Sequence, residues 1–197
     1  MDLVFIYADE SCLGNQYVDR DNPGGAGGLL ELWRNDGCVR RDYWASEPAT
    51  TNNRMALLGA TDLLSALRRP CRIIFTSDSQ YLVIGMREWI HAWAARGWQR
   101  KTGPIENVEL WRALGRAAAR HEIDWRWVRG HAGHPQNEYV NDLAVRAAKE
   151  QSSSGGLVES KFLDWLEGHR EKRQKYMDFF ETAAPEEGEF RPARTPP

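Results

Sequence analysis

The chain has 197 residues, with 26 basic and 28 acidic side chains, a net charge of −2 and 42% hydrophobic residues. That apolar content suffices for the core of one ordinary domain and excludes a wholly disordered chain. The near-neutral balance excludes binding a polyanion by bulk charge, so any such binding needs a local patch.

The longest apolar run, Leu3 to Ala8, is far too short to cross a bilayer, and the start lacks the basic region and cleavage site of a secretory signal. No membrane association is therefore expected. Cys12, Cys38 and Cys71 are odd in number and widely spaced, forming neither a disulfide framework nor a zinc site. A reducing, cytoplasmic setting fits them best. Nine tryptophans recur at helical or strand spacing, which favours packing roles over base stacking.

Residues 2–9 are β-branched and aromatic and predict a strand running into an acid, Asp9. A loop follows over 10–24. Runs at 25–33 and 38–46 flank Asn35-Asp36-Gly37, a hairpin signal. Thr50-Thr51-Asn52-Asn53 offers N-caps to a helix bearing Leu57, Ala60, Leu64 and Leu67. Pro70 stops that helix, and a short strand over 71–76 leads to Ser77-Asp78-Ser79. A helix over 80–95 and a basic, aromatic loop (Arg96, Trp98, Arg100, Lys101) come next. Then follow a helix over 107–120, a strand over 123–128, the loop Gly130-His131-Ala132-Gly133-His134-Pro135 and a helix over 136–150. Hairpin strands followed by βαβ crossovers predict a mixed α/β sheet with helices on its faces. The domain spans 1–150, with a Ser/Gly linker over 151–156 and an amphipathic helix over 157–181. A Pro-rich, disordered tail completes the chain over 182–197. On this reading a chain ending at Gln151 unfolds cooperatively at nearly the same temperature as the full chain.

Five segments together resemble type 1 ribonucleases H. They are Tyr7 to Asn15, Thr50 to Met55, Thr76 to Tyr81, Trp89 to Trp98 and Trp127 to Pro135. The likeness covers residues 2–150 in order. It implies a five-stranded mixed sheet flanked by helices. It also implies magnesium-dependent endonucleolytic hydrolysis of the RNA strand of RNA/DNA hybrids, with Mn²⁺ as the alternative ion. Hard divalent cations take oxygen ligands, and two close ions can activate water and stabilise the leaving oxygen.

The family gathers four acids. Asp9 and Asp78 match two of them, while the other two positions hold Ala56 and Asn141. Asn141 keeps a carbonyl oxygen but brings no charge, and Asp142 follows it. Glu10 stands where the family has glycine. Glu10 is either a relocated ligand or a side chain on the opposite face, because successive strand residues alternate. The candidate metal set is Asp9, Glu10, Asp78, Asn141 and Asp142. His131 corresponds to the family's loop histidine, which assists proton transfer or product release; His134 is read as structural. Asn15, Asn52 and Gln80 match minor-groove contacts, where 2′-hydroxyls mark RNA. Thr51 and Asn107 match a DNA-phosphate pocket whose usual arginine is Ala49 here. Arg96 and Trp98 belong to the handle that binds nucleic acid. Cys12 is read as a packed thiol.

Hybrid hydrolysis by a monomer is the leading expectation. A hybrid-binding protein with little cleavage is the alternative. A third reading has the 157–181 helix engage a protein partner.

Overall fold

The computed structural model describes residues 1–14, 22–100, 103–130 and 132–196. Among these, six strands form one mixed sheet. They are β1 (Leu3–Cys12), β2 (Gly24–Arg34), β3 (Gly37–Glu47), β4 (Arg72–Ser77), β5 (Glu122–Trp127) and β6 (Val158–Glu159), in the order β5-β4-β1-β2-β3-β6. β1 runs parallel to β4 and β4 to β5, while β2 is antiparallel to both β1 and β3. The β2–β3 turn at Asn35-Asp36 passes through Gly37 at φ +134, a backbone state that glycine reaches without strain.

Helix α1 (Asn52–Ser65) starts where Thr51 accepts the Arg54 backbone N–H, an N-cap of the expected kind. Helix α2 (Gln80–Ile84) continues through a π-helical segment, Gly85–Trp89, into α3 (Ile90–Ala95). The expected helix over 80–95 is therefore present but interrupted. Helix α4 (Val108–Ala118) packs beside α1 on one face, where Leu57, Leu63, Phe75 and Trp111 are fully buried. Trp89, Trp93 and Trp111 cluster round Tyr81, so three of the tryptophans serve packing.

Helix α5 (Pro135–Glu150) lies directly on β1 and β2 of the opposite face. It can do so because Gly25 and Gly27 lack side chains. A Cβ at Gly27 would stand 2.1 Å from the Val140 carbonyl, and one at Gly25 equally close to that of Ala144. Backbone on backbone leaves no room for either.

Beyond residue 151 the chain stays on the domain. The Ser154 backbone N–H reaches the Trp44 carbonyl at 2.9 Å, and β6 pairs with β3 as a sixth strand. Helix α6 covers only Phe162–Arg173, shorter than the expected 157–181, and buries Phe162 and Leu166 completely. In place of a free, disordered end, residues 182–196 run along the sheet without regular structure. Glu187 pairs with Arg72 at 2.9 Å, and the Ala193 N–H donates to the Ile123 carbonyl. Side-chain and backbone anchors hold this stretch in place.

Candidate active site

Two parallel strands deliver three carboxylates to one edge of the sheet. Ala8 pairs with Ser77, so Asp9 and Glu10 on β1 arrive level with Asp78 just beyond β4. One oxygen from each acid lies within 4.8 Å of those from the other two. Asp9 is buried, and Glu10 and Asp78 are half-buried. Glu10 belongs by alternation to the face of Ala8, yet its longer side chain reaches the group, where the Ser79 hydroxyl hydrogen-bonds it. The Glu10 carboxylate therefore lies beside those of Asp9 and Asp78.

The surroundings hold the group tightly. A Cβ at Gly130 would meet the Asp78 carboxylate at 2.3 Å, so glycine lets the β5–α5 loop close over it. Trp127 Nε1 donates to the Asp78 carbonyl at 2.9 Å. Ser79 caps α2, its hydroxyl accepting the Leu82 N–H. The Glu10 backbone N–H donates to Asp9 Oδ1 at 2.6 Å.

Like charges this close resist ionisation. Burial, then Asp78, pushes Asp9 up to about 8, with Glu138 adding to the same effect. Burial, then Asp9 and Asp78, holds Glu10 well above the usual carboxylate range. Three clustered hard oxygens that repel one another suit a divalent cation. In the absence of such an ion, the folded protein holds a proton on Asp9 that the unfolded chain releases near pH 4. Stability in EDTA should therefore fall as pH rises from about 4 to about 8. Asp9→Asn should flatten that fall and raise stability at pH 8 by roughly 1–3 kcal/mol. Thermal melts across that pH range, with and without Mg²⁺, check it. A parent melting temperature flat from pH 5 to 8 in EDTA would contradict it.

The remaining candidates divide. Ala56 is buried in the core on the second turn of α1 and offers no ligand. Asn141 is half-buried on α5. Asp142 does not join the acids. It is exposed, and its carboxylate accepts the Trp165 indole N–H at 2.8 Å, because the next helical residue points about 100° away. Its expected place in the metal set is corrected accordingly. Glu138, one turn before Asn141, lies near enough to act on Asp9, and the motif pattern does not single it out. Its i, i+3 spacing from Asn141 was the available signal.

Asn52 is half-buried with its side-chain oxygen unpartnered, and Gln80 is exposed. Thr51 is exposed at the start of α1. Asn107 sits in a left-handed conformation, its amide donating to the Tyr81 hydroxyl at 3.4 Å. Arg96 and Arg100 are exposed, and Trp98 is half-buried with Arg112 5.4 Å from its ring. Asn15, Lys101 and His131 lie outside the described residues. Among the described residues no helix is long and apolar enough to cross a membrane.

This sheet order with acids at one strand edge is the architecture of ribonuclease H-like nucleases. The RNase H family model matches residues 1–149. A ribonuclease H of Herminiimonas arsenicoxydans is 44% identical over 155 residues, 78% of this chain and all of that one. A ribonuclease HI of Vibrio cholerae is 45% identical over 147 residues, 74% and 88% of the two chains. The crystal structure of LC9-RNase H1, described as a type 1 RNase H with the type 2 active-site motif, is 48% identical. It superposes with a TM-score of 0.86, covering 100% of this chain and 94% of that one. The chain belongs to the ribonuclease H family, and its fold and motifs are those of the type 1 proteins.

Proposed function

We propose that this protein cleaves the RNA strand of RNA/DNA hybrids endonucleolytically, using a divalent metal held by Asp9, Glu10 and Asp78. The observation that carries this reading is the cluster of those three carboxylates within 4.8 Å. Glu10 supplies from β1 the charge that Ala56 lacks on α1. That LC9-RNase H1 is described as joining a type 1 fold to a type 2 active-site motif supports a rearranged acid set. Bound Mg²⁺, or Mn²⁺ in its place, supplies charge neutralisation and a more acidic water. Asn141 adds a neutral carbonyl oxygen. Asn52, Gln80 and Asn15 contact the minor groove and its 2′-hydroxyls. Thr51 and Asn107 hold the DNA phosphate, and His131 moves a proton or eases product release.

Asp78→Asn is the direct test. It keeps the side-chain shape, removes the charge and leaves a single neutral carbonyl oxygen. Cleavage of an end-labelled hybrid should fall at least about 100-fold, with far-UV dichroism unchanged. Undiminished cleavage would overturn the assignment. A parent inert with both ions, yet binding hybrid tightly, would instead make the protein a hybrid binder.

Substrate binding should rest on the basic loop after α3, given the neutral body. Arg96→Ala, Arg100→Ala and Lys101→Ala together should weaken hybrid binding. They should flatten the plot of log K against log[salt] by about 1 for each phosphate that is no longer neutralised. Titrations at several salt concentrations read that slope, and an unchanged slope would place the phosphate-binding side chains elsewhere.

A further inference from the structure

Asp78 is held differently from Asp9. Asp9 lies inside β1, with Gly27 opposite it on β2. Asp78 lies one residue past the last paired rung of β4 and β5, where Ser77 stands opposite Trp127. Beyond that rung, hydrogen bonds hold both peptide units that meet at the Asp78 Cα. The Val128 N–H donates to the Ser77 carbonyl at 3.1 Å and fixes the first unit. The second is held at both ends. Its carbonyl, that of Asp78, accepts Trp127 Nε1 at 2.9 Å, and its N–H, that of Ser79, donates to Ser77 Oγ at 3.1 Å. Peptide units are planar, so fixing two neighbouring planes fixes the Cα between them and the direction of its Cβ. The carboxylate then keeps only its two side-chain torsions.

Trp127 is the part of this clamp that comes from outside β4. It is 46% exposed, against 0% for Trp111 and 3% for Trp125, so core packing accounts for it poorly. What an indole adds to an apolar ring is a single N–H donor, and here that donor is spent on Asp78. Three residues on, Gly130 runs against the Asp78 carboxylate. One stretch of chain, 127–130, therefore meets Asp78 at its carbonyl and at its carboxylate. We propose that Trp127 is a positioning residue, whose indole N–H holds the Asp78–Ser79 peptide so that the Asp78 carboxylate converges with those of Asp9 and Glu10 on one divalent cation. This role rests on the metal set proposed above. Groups that orient a metal ligand govern affinity or rate on the order of 10- to 100-fold. A single neutral donor acting through the backbone belongs at the low end of that range.

The test replaces Trp127 in the full chain by benzothienylalanine, a ring of the same size with sulfur where the N–H stood. Calorimetric titration with Mg²⁺, in the absence of hybrid, should give an affinity about 3- to 10-fold weaker than the parent's. Hybrid cleavage should lose about tenfold in kcat, with KM within about twofold. The melting temperature in EDTA should change by no more than about 4 °C. Trp127→Phe, which also lacks the donor, should show the same losses in kcat and Mg²⁺ affinity. Benzothienylalanine at Trp165, whose N–H serves Asp142 away from the acids, should change neither by more than about twofold. A Trp127 isostere that binds Mg²⁺ as the parent does would overturn the proposal. So would a raised KM with kcat and Mg²⁺ affinity unchanged, which would make the exposed ring a stacking contact for the hybrid. A parent inert toward hybrid would count against hydrolysis and leave the Mg²⁺ comparison to decide this role.

Discussion

Glu10→Gly is expected to lower hybrid cleavage on the order of 10²–10³-fold while leaving the melting temperature in EDTA unchanged or higher. Its carboxylate lies with those of Asp9 and Asp78 within 4.8 Å, and its charge raises the repulsion among them. Removing it relieves that repulsion in the metal-free protein, so lost activity would not reflect lost folding. With Ala56 and Asn141 uncharged, the variant keeps only Asp9 and Asp78 of the matched acids. Restoring a carboxylate from α1, by Ala56→Glu in the Glu10→Gly background, should recover at least about tenfold of the loss. Ala56 is buried at the second turn of α1, in the same core as Ala8, so the new side chain starts in the core that β1 lines. Single-turnover rates on a labelled hybrid in Mg²⁺ and Mn²⁺ read both effects. If Glu10→Gly cleaves as fast as the parent, the acid at position 10 is not part of the chemistry.

Much of this site was legible because it lies where secondary structure changes. Asp9 follows a β-branched run, Asp78 follows another, and Thr51 stands ahead of a helical period, so local pattern places them at element ends and the family resemblance marks them as site residues. Glu10 was not decidable. Alternation assigns its Cα to one face, but a side chain with three torsions can turn its carboxylate to another. Asp142 failed for the opposite reason. Adjacency in sequence to Asn141 suggested a ligand, whereas helical geometry sends it to Trp165 on α6. The mixed character of the sheet followed from hairpin and crossover rules, but its strand order and β6 did not. Val158 and Glu159 form a strand only because Arg41 and Asp42 of β3 offer them an edge. Ser152 to Gly156 is poor in local structure, as its composition says. Composition says nothing of tertiary docking, and Ser154 bonds to Trp44 through both its backbone and its hydroxyl.

A chain ending at Gln151 should be less stable by about 3–5 kcal/mol and melt roughly 10 °C lower than the full protein. Phe162 and Leu166 are 0% and 1% exposed, packed with Leu29, Tyr139 and Leu143. Burying two such side chains contributes about 1.5–3 kcal/mol each. The polar loss points the same way. Asp42 is 1% exposed and accepts hydrogen bonds from Tyr139, from the Ser160 hydroxyl at 2.6 Å and from the Lys161 N–H at 2.9 Å. Truncation removes two of those three donors. Water can replace them only where it reaches, and an under-bonded buried carboxylate costs about 1–3 kcal/mol. Arg40, paired with the fully buried Glu31 at 2.7 Å, also loses the Glu181 carbonyl. Phe162→Ala with Leu166→Ala in the full chain separates packing from chain length. It should reproduce more than half of the loss if α6 is the anchor. Calorimetry of the three proteins in EDTA checks this, and a truncated chain melting within about 2 °C of the parent would show that α6 and its tail add nothing to the domain's stability.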